Sequence, residues 1–170
     1  MKIAVAYFSR ADENYFGGQM KYVKTGNTEI AAGFVKEICG ADEIKLIMEH
    51  PYSAEYMKCV AEAKAHLAAN ARPALVGLPE SIAEYDVIIL GYPNYCGTIP
   101  MPVATFLEAY DFTGKKILPF CTNEGRGMGN SVKDIKKLVP TAEIGEGLPV
   151  FGSTVAEAKP EIEKWLKNMG

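Results

Sequence analysis

Two groups of small polar residues near the N-terminus have the chemistry to hold an anion. Ser9 and Arg10 follow the apolar run "KIAVAYF", and Thr25, Gly26, Asn27 and Thr28 precede a stretch of helical periodicity. Hydroxyl and amide side chains can donate to phosphate oxygens, and Gly26 lets the backbone come close. A helix starting near Asn27 turns unpaired N–H groups and the positive end of its dipole outward. The G-x-x-x-x-G-K-[ST] spacing of a nucleoside-triphosphate loop is missing, so a monophosphate fits better. An ordinary capped helix uses the same Thr and Asn residues, and this segment alone leaves both readings open. Residues 11–24 read as a loop insertion between the two groups, with Gly17 and Gly18 marking a turn inside it.

Two further segments carry candidate ligand contacts. In "GYPNYCGTIPMP", Gly91 to Pro102, Tyr92 and Tyr95 offer aromatic faces, Gly97 frees the backbone and Pro100 stiffens the exit. A flat ring could stack there; the alternative is that both tyrosines pack on neighbouring loops. In "CTNEGRGMGN", Cys121 to Asn130, the glycines at 125, 127 and 129 allow a close backbone approach to a ligand, or simply make a flexible turn. It is not a dinucleotide fingerprint, because Asn130 stands where G-x-G-x-x-G requires glycine.

The elements that must position these segments alternate regularly. Lys2 to Phe8, Val87 to Tyr92 and Ile117 to Cys121 read as strands buried on both faces. Glu43 to Met48 alternates like an edge strand, and Leu148 to Phe151 is a short final strand. Helical stripes lie between them: Ile30, Phe34, Val35 and Ile38; Tyr56, Val60, Ala63 and Leu67; Val103, Phe106 and Leu107; Val132, Ile135 and Leu138; and Ala158, Ile162, Trp165 and Leu166. Strand–helix alternation of this kind predicts an α/β fold with a parallel sheet and helices on both faces. Ligands of such sheets bind beyond the carboxyl ends of the strands, which is where all three polar segments fall.

Composition excludes several classes. The chain has 170 residues, 48% of them hydrophobic, which is enough for one well-buried domain spanning 1–170. A net charge of −3 supplies no basic footprint for nucleic acid. No apolar run is long enough to span a bilayer, so a cytoplasmic location is expected. The four cysteines, Cys39, Cys59, Cys96 and Cys121, are far apart and form no C-x-x-C pair; with only two histidines, His50 and His66, they read as free thiols and no metal site is expected. Cys39 and Cys59 fall in helical patterns, and Cys96 and Cys121 in loops.

Taken together, the segments resemble the flavodoxin family. Tyr7 to Arg10 with Thr25 to Thr28 are similar to its S-x-T-G-N-T phosphate loop, split by the insertion. "GYPNYCGTIPMPVATFLE" and "PFCTNEGRGMGNSVKDI" resemble the flavin-ring loops of its single-domain bacterial members. The resemblance implies a three-layer sandwich around a five-stranded parallel sheet in the order 2-1-3-4-5, with FMN bound non-covalently. It implies a phosphate held by Ser9, Arg10, Thr25, Gly26, Asn27 and Thr28. Ring contacts are implied at Pro93, Asn94, Tyr95, Cys96 and Gly97, and at Thr122, Asn123, Glu124, Gly125, Gly127 and Gly129. Where the pattern often reads Trp-Trp, this chain has Tyr95-Cys96.

FMN carries one phosphate and one large ring, which matches one anion cradle followed by two ring-facing loops. The ring does the redox chemistry, so no Ser/His/Asp or Cys/His constellation is needed. The leading expectation is an electron-transfer protein that passes electrons to a redox partner protein or small-molecule acceptor. The alternative is an NAD(P)H-dependent FMN-containing reductase of quinones, nitroaromatics or flavin. A weak net charge gives little long-range steering toward a protein partner. Tyr15, Phe16 and Tyr22 could wall a substrate pocket, and Arg126 could meet a pyridine-nucleotide phosphate. A flavodoxin fold serving only as an interaction module is the third reading, against which stand the phosphate-loop hydroxyls.

Overall fold

In the computed structural model, which describes residues 1–169, the first apolar run forms β1 (Ile3–Tyr7). The polar segment after it is not an irregular loop. It folds into a hairpin of β2 (Asp12–Phe16) and β3 (Gln19–Val23), joined at Gly17 and Gly18 with φ of 57° and 93°. Two successive left-handed residues make the tight turn whose twist matches a β-hairpin. The chain continues through α1 (Asn27–Cys39), β4 (Asp42–Lys45), β5 (Ile47–Met48), α2 (Tyr56–Ala68) and β6 (Leu75–Val76). It then runs through β7 (Val87–Pro93), α3 (Met101–Ala109), β8 (Lys116–Asn123), α4 (Ser131–Leu138), β9 (Glu143–Ile144) and β10 (Leu148–Phe151). A 3-10 segment (Gly152–Glu157) and α5 (Lys159–Lys167) close it.

The central sheet is parallel and runs β4-β1-β7-β8-β10, the expected 2-1-3-4-5 order. It has six strands rather than five, because β9 also pairs with β8, along Lys116 and Ile117. The last edge position is thus shared by two short strands separated by Gly145 to Gly147. Separately, β5 and β6 form a small antiparallel pair, so the edge segment read as one strand from Glu43 to Met48 is divided after Lys45.

Period-two alternation assigns each strand residue to one of two cores. Ala4, Ala6, Ile88, Leu90, Ile117 and Cys121 pack with residues of α2, α3 and α4. Val5, Tyr7, Ile89, Leu118, Phe120 and Val150 pack with α1 and α5. Cys121 is therefore a buried strand residue, not a loop residue, and burial raises its thiol pKa to about 12. With both faces covered, β1, β7 and β8 are buried through most of their length, and the carboxyl ends are where the sheet is open to a ligand.

Candidate functional site

The carboxyl ends of β1, β7 and β8 open on a cleft of about 650 Å³. Its closed end is where the residues after β1 meet the start of α1, across the base of the hairpin. Gly26 caps α1 in an extended conformation without a side-chain cap. A Cβ there would lie 2.3 Å from Ser9 Oγ and 2.5 Å from the Arg10 carbonyl, so only glycine lets the two chain segments touch. Ser9 Oγ accepts the Glu29 amide at 3.1 Å, while the Asn27 and Thr28 amides meet no acceptor among the described residues. Ser9, Asn27 and Thr28 line the cleft beside these amides. The Thr28 and Thr122 hydroxyls are 2.7 Å apart and buried, which ties the start of α1 to the end of β8.

The β7–α3 connection forms one wall. Pro93, Asn94, Tyr95, Cys96 and Gly97 all line the cleft. Tyr95 and Thr98 exchange backbone hydrogen bonds across Cys96 and Gly97, whose φ values are 55° and 83°. Cys96 thus holds a left-handed conformation that a side chain disfavours. Asn94 braces the turn by accepting the Gly97 amide and donating to the Gly127 carbonyl, which joins the β7–α3 and β8–α4 loops. The ring of Tyr95 meets Phe8 edge-on at 6.0 Å between centroids and Tyr52 at 6.2 Å, and its hydroxyl lies 3.8 Å from Cys59 Sγ. Burial raises the pKa of this hydroxyl well above its ordinary value, so it stays protonated at neutral pH. Tyr92, by contrast, is fully buried and donates to Ser131 Oγ; its position on the strand turns it into the core, away from any ligand.

Thr122, Asn123 and Glu124 line the cleft from the β8–α4 connection. Gly125, Gly127 and Gly129, expected as ring contacts, are not among the residues lining the cleft; here they shape the loop. Asn123 Oδ1 accepts the amides of Gly125 and Gly127, and a Cβ on Gly129 would lie 2.3 Å from the Gly97 carbonyl oxygen. Thr25, which is exposed, and Gly26, which is buried against Ser9, are not among the residues lining the cleft. Glu124 Oε1 is buried with no hydrogen-bond partner among the described residues. It sits beside Asn27, since a Cβ on Gly152 would be 2.9 Å from Glu124 Oε1 and 2.6 Å from Asn27 Nδ2.

Arg10 has a different task from the one its position suggests. Although it lines the cleft, its guanidinium donates to the carbonyls of Ser53 and Ala54, each at 2.8 Å, to the Glu13 carbonyl, and to Asn14 Oδ1. It fastens the hairpin to the loop before α2. Glu13 strengthens the junction by accepting the Tyr56 amide at 3.0 Å, placing a carboxylate at the positive end of the α2 dipole. The result is a second wall of Asn14, Tyr15 and Met20 from the hairpin and Tyr56, Met57, Val60 and Lys64 from α2. Of the insertion residues expected to face a pocket, Tyr15 does so. Tyr22 instead donates to Asp12, and Phe16 sits under the Lys21 ammonium. Arg126 lines the opposite bank.

The flavodoxin family model matches residues 19–169, taking in α1 and the β7–α3 and β8–α4 loops. No curated protein matches. A candidate flavoprotein from Bacteroides uniformis ATCC 8492 superposes with a TM-score of 0.79 at 27% identity, covering 98% of this chain and 97% of its own. A flavoprotein from Lactobacillus acidophilus NCFM, in complex with FMN, gives a TM-score of 0.61 at 19% identity, with 92% and 97% covered. Oxidised flavodoxin 2 from Bacillus cereus gives 0.53 at 18% identity, with 97% and 94% covered. With its parallel sheet in the order 2-1-3-4-5 and this match over most of its length, the chain belongs to the flavodoxin family.

Proposed function

We propose that this chain binds FMN non-covalently and exchanges electrons through it. The observation that carries the reading is one continuous cleft with an anion-accepting end and two ring-facing loops, all at the carboxyl ends of the central strands. The residues fit the group. The free Asn27 and Thr28 amides suit the single phosphate, with the Asn27 side chain beside them. The orphaned Glu124 Oε1 suits a donor such as a ribityl hydroxyl, and would be relieved of its missing hydrogen bond. Tyr95 and the Cys96–Gly97 turn offer an aromatic edge and backbone groups to the ring. When bound, the flavin supplies the redox chemistry; the chain's residues hold it, orient it and keep water from the closed end of the cleft.

Two roles differ in who meets the ring. An electron carrier leaves the ring edge to a protein partner, whereas an NAD(P)H-dependent reductase needs room for a second small molecule. The wall of Tyr15, Met20, Tyr56 and Met57 favours the reductase, because it extends the cleft beyond the ring-facing loops. The test is to purify the chain, record the visible spectrum, and compare FMN with riboflavin. A charge-assisted phosphate contact is worth about 1.5 to 3 kcal/mol, so FMN binds more tightly by at least about tenfold. Oxidation of NADH or NADPH in the presence of quinone identifies a reductase; reduction only through a separate reductase identifies a carrier. Equal affinity for FMN and riboflavin removes the phosphate assignment.

A further inference from the structure

The mouth of the cleft has a chemistry of its own. Tyr15 and Met20 face each other across the hairpin, and the Tyr15 and Tyr56 rings lie 6.4 Å apart at 31°. Tyr15, Met20 and Met57 are 43%, 47% and 66% exposed, an apolar surface converging on one opening from two elements. A concave, largely apolar lining with a few polar groups at its edge is the usual make-up of a small-molecule site. Aromatic faces and thioethers suit a flat, polarisable partner.

Charge adds the second condition. Met57, Val60 and Lys64 follow at i, i+3 and i+7 on α2, so the lysine lies on the same face as the apolar residues. Arg126 stands on the opposite bank. Both cations are exposed, and neither joins an ion pair among the described residues. The third cation of the cleft, Arg10, is engaged with the hairpin base. The cleft's carboxylate, Glu124, lies by Asn27 at the closed end, and Glu62 on α2 is turned to the Ser53 amide. Glu13 gives its carboxylate to the Tyr56 amide, which leaves Lys64 and Arg126 as the charged residues lining this opening whose head groups no hydrogen bond engages among the described residues.

We propose that the mouth is a second ligand site, formed by Tyr15, Met20, Tyr56 and Met57 and flanked by Lys64 and Arg126, which takes a planar aromatic molecule bearing an anionic group. This deepens the flavin reading and names the substrate class that would follow from it: an anionic aromatic acceptor, such as a carboxylated or sulfonated quinone. A quinone of this class takes up two electrons and two protons and leaves as the hydroquinone, the reduced flavin giving up the same number.

Binding tests this without turnover. The full chain, with and without FMN, is titrated with naphthalene-2-sulfonate and with neutral naphthalene-2-methanol by calorimetry. Neither compound is reduced. Exposed ion pairs are weak, so each cation contributes up to about fivefold and the sulfonate binds about tenfold more tightly. Lys64→Gln with Arg126→Gln removes that preference and leaves the neutral compound's affinity unchanged, and Met57→Glu weakens both. Equal affinities in the parent chain, a preference that survives the double substitution, displacement of the sulfonate by FMN, or no binding of either compound overturns the proposal. A chain that shows the preference yet takes up no FMN keeps this site and loses the flavin reading.

Discussion

The two ends of the cleft are built in different ways. At the closed end, Ser9 after β1 meets Gly26, Asn27 and Thr28 at the start of α1 across the base of the hairpin, joined by Thr122 from β8. Their geometry follows from the parallel sheet, which delivers strand ends to one edge. At the mouth, the hairpin meets α2 through Arg10 with Ser53 and Glu13 with Tyr56, pairs about forty positions apart in the chain. The first end repeats what the fold must do; the second is an addition held by a few polar contacts. Damage to the closed end should therefore remove FMN itself, whereas damage to the mouth should change what meets it.

The sharpest break of that contrast uses two glycines of one segment. Gly26→Ala forces a Cβ to 2.3 Å from Ser9 Oγ and 2.5 Å from a backbone oxygen. Overpacking of this kind costs about 1 to 3 kcal/mol, and because the clash lies inside the cradle, FMN affinity falls by about fivefold to a hundredfold. Gly33→Ala has open space within 4 Å in the middle of α1. It should stabilise the fold by about 0.5 to 1 kcal/mol and leave FMN binding unchanged. Calorimetric titration with FMN and thermal unfolding of both variants separate the two; equal behaviour would show that Gly26 is not holding the cradle together.

Tyr95 lies between the ends. Tyr95→Ala removes its packing on Phe8 and Tyr52 and any stacking on a ring, so it should cost about 3 kcal/mol of stability and one to two powers of ten in FMN affinity. Tyr95→Phe keeps the ring and should retain FMN. Because burial raises this hydroxyl above its ordinary pKa of 10, the folded chain keeps a proton that the unfolded chain releases in alkali. The sign is then fixed: the contribution is complete below pH 10 and is lost as pH rises above it. Tyr95→Phe should flatten the fall of stability above that pH by up to about 1.4 kcal/mol per unit. An unaltered slope in urea titrations from pH 9 to 11 would mean that the hydroxyl is solvated.

The sequence carries the closed end far better than the mouth. Fully buried runs such as "VIIL" and the helical stripes mark a doubly covered parallel sheet, and the hydroxyl and amide residues around Gly26 fall where that sheet binds ligands. The hairpin escapes because "DENYF" and "QMKYV" show no strict alternation of apolar and polar residues, although the glycine pair between them is a visible turn signal. Arg10 is legible as a cation near a phosphate loop, but its carbonyl partners on Ser53 and Ala54 have no side-chain signature. The glycines of the β8–α4 loop were legible as backbone freedom; that they serve Asn123 and Gly97 depends on contacts across the cleft.

Trimming the mouth tests the other side of the comparison. Replacing residues 12–23 by a short linker removes the Glu13 carboxylate from the start of α2, a capping loss of about 0.5 to 2 kcal/mol. FMN affinity should change by less than tenfold, since the cradle amides and ring-facing loops are untouched, and loop shortening is tolerated at exposed positions. Loss of the folded state in circular dichroism would place the hairpin in the core. A hundredfold loss of FMN would merge the two ends into one site.

The smallest effect is a rate at one thiol. Cys96 is exposed at the cleft, whereas Cys59 and Cys121 are buried. Burial raises both buried thiols, Cys121 to about 12, so at pH 8 little thiolate forms there. Cys39 is half-buried and also raised by burial. An aromatic disulfide reagent should therefore modify one thiol quickly in the native chain, and Cys96→Ser should abolish that phase. The turn carrying Cys96 is braced by Asn94 to the loop across the cleft, so a ligand seated between the two loops covers the sulfur from the cleft side. FMN should slow the reaction several-fold, while riboflavin at the same concentration, lacking the phosphate, should slow it less. A rate indifferent to FMN would remove the Cys96–Gly97 turn from the ring's surroundings, and would leave the cradle as the only part of the closed end still tied to the cofactor.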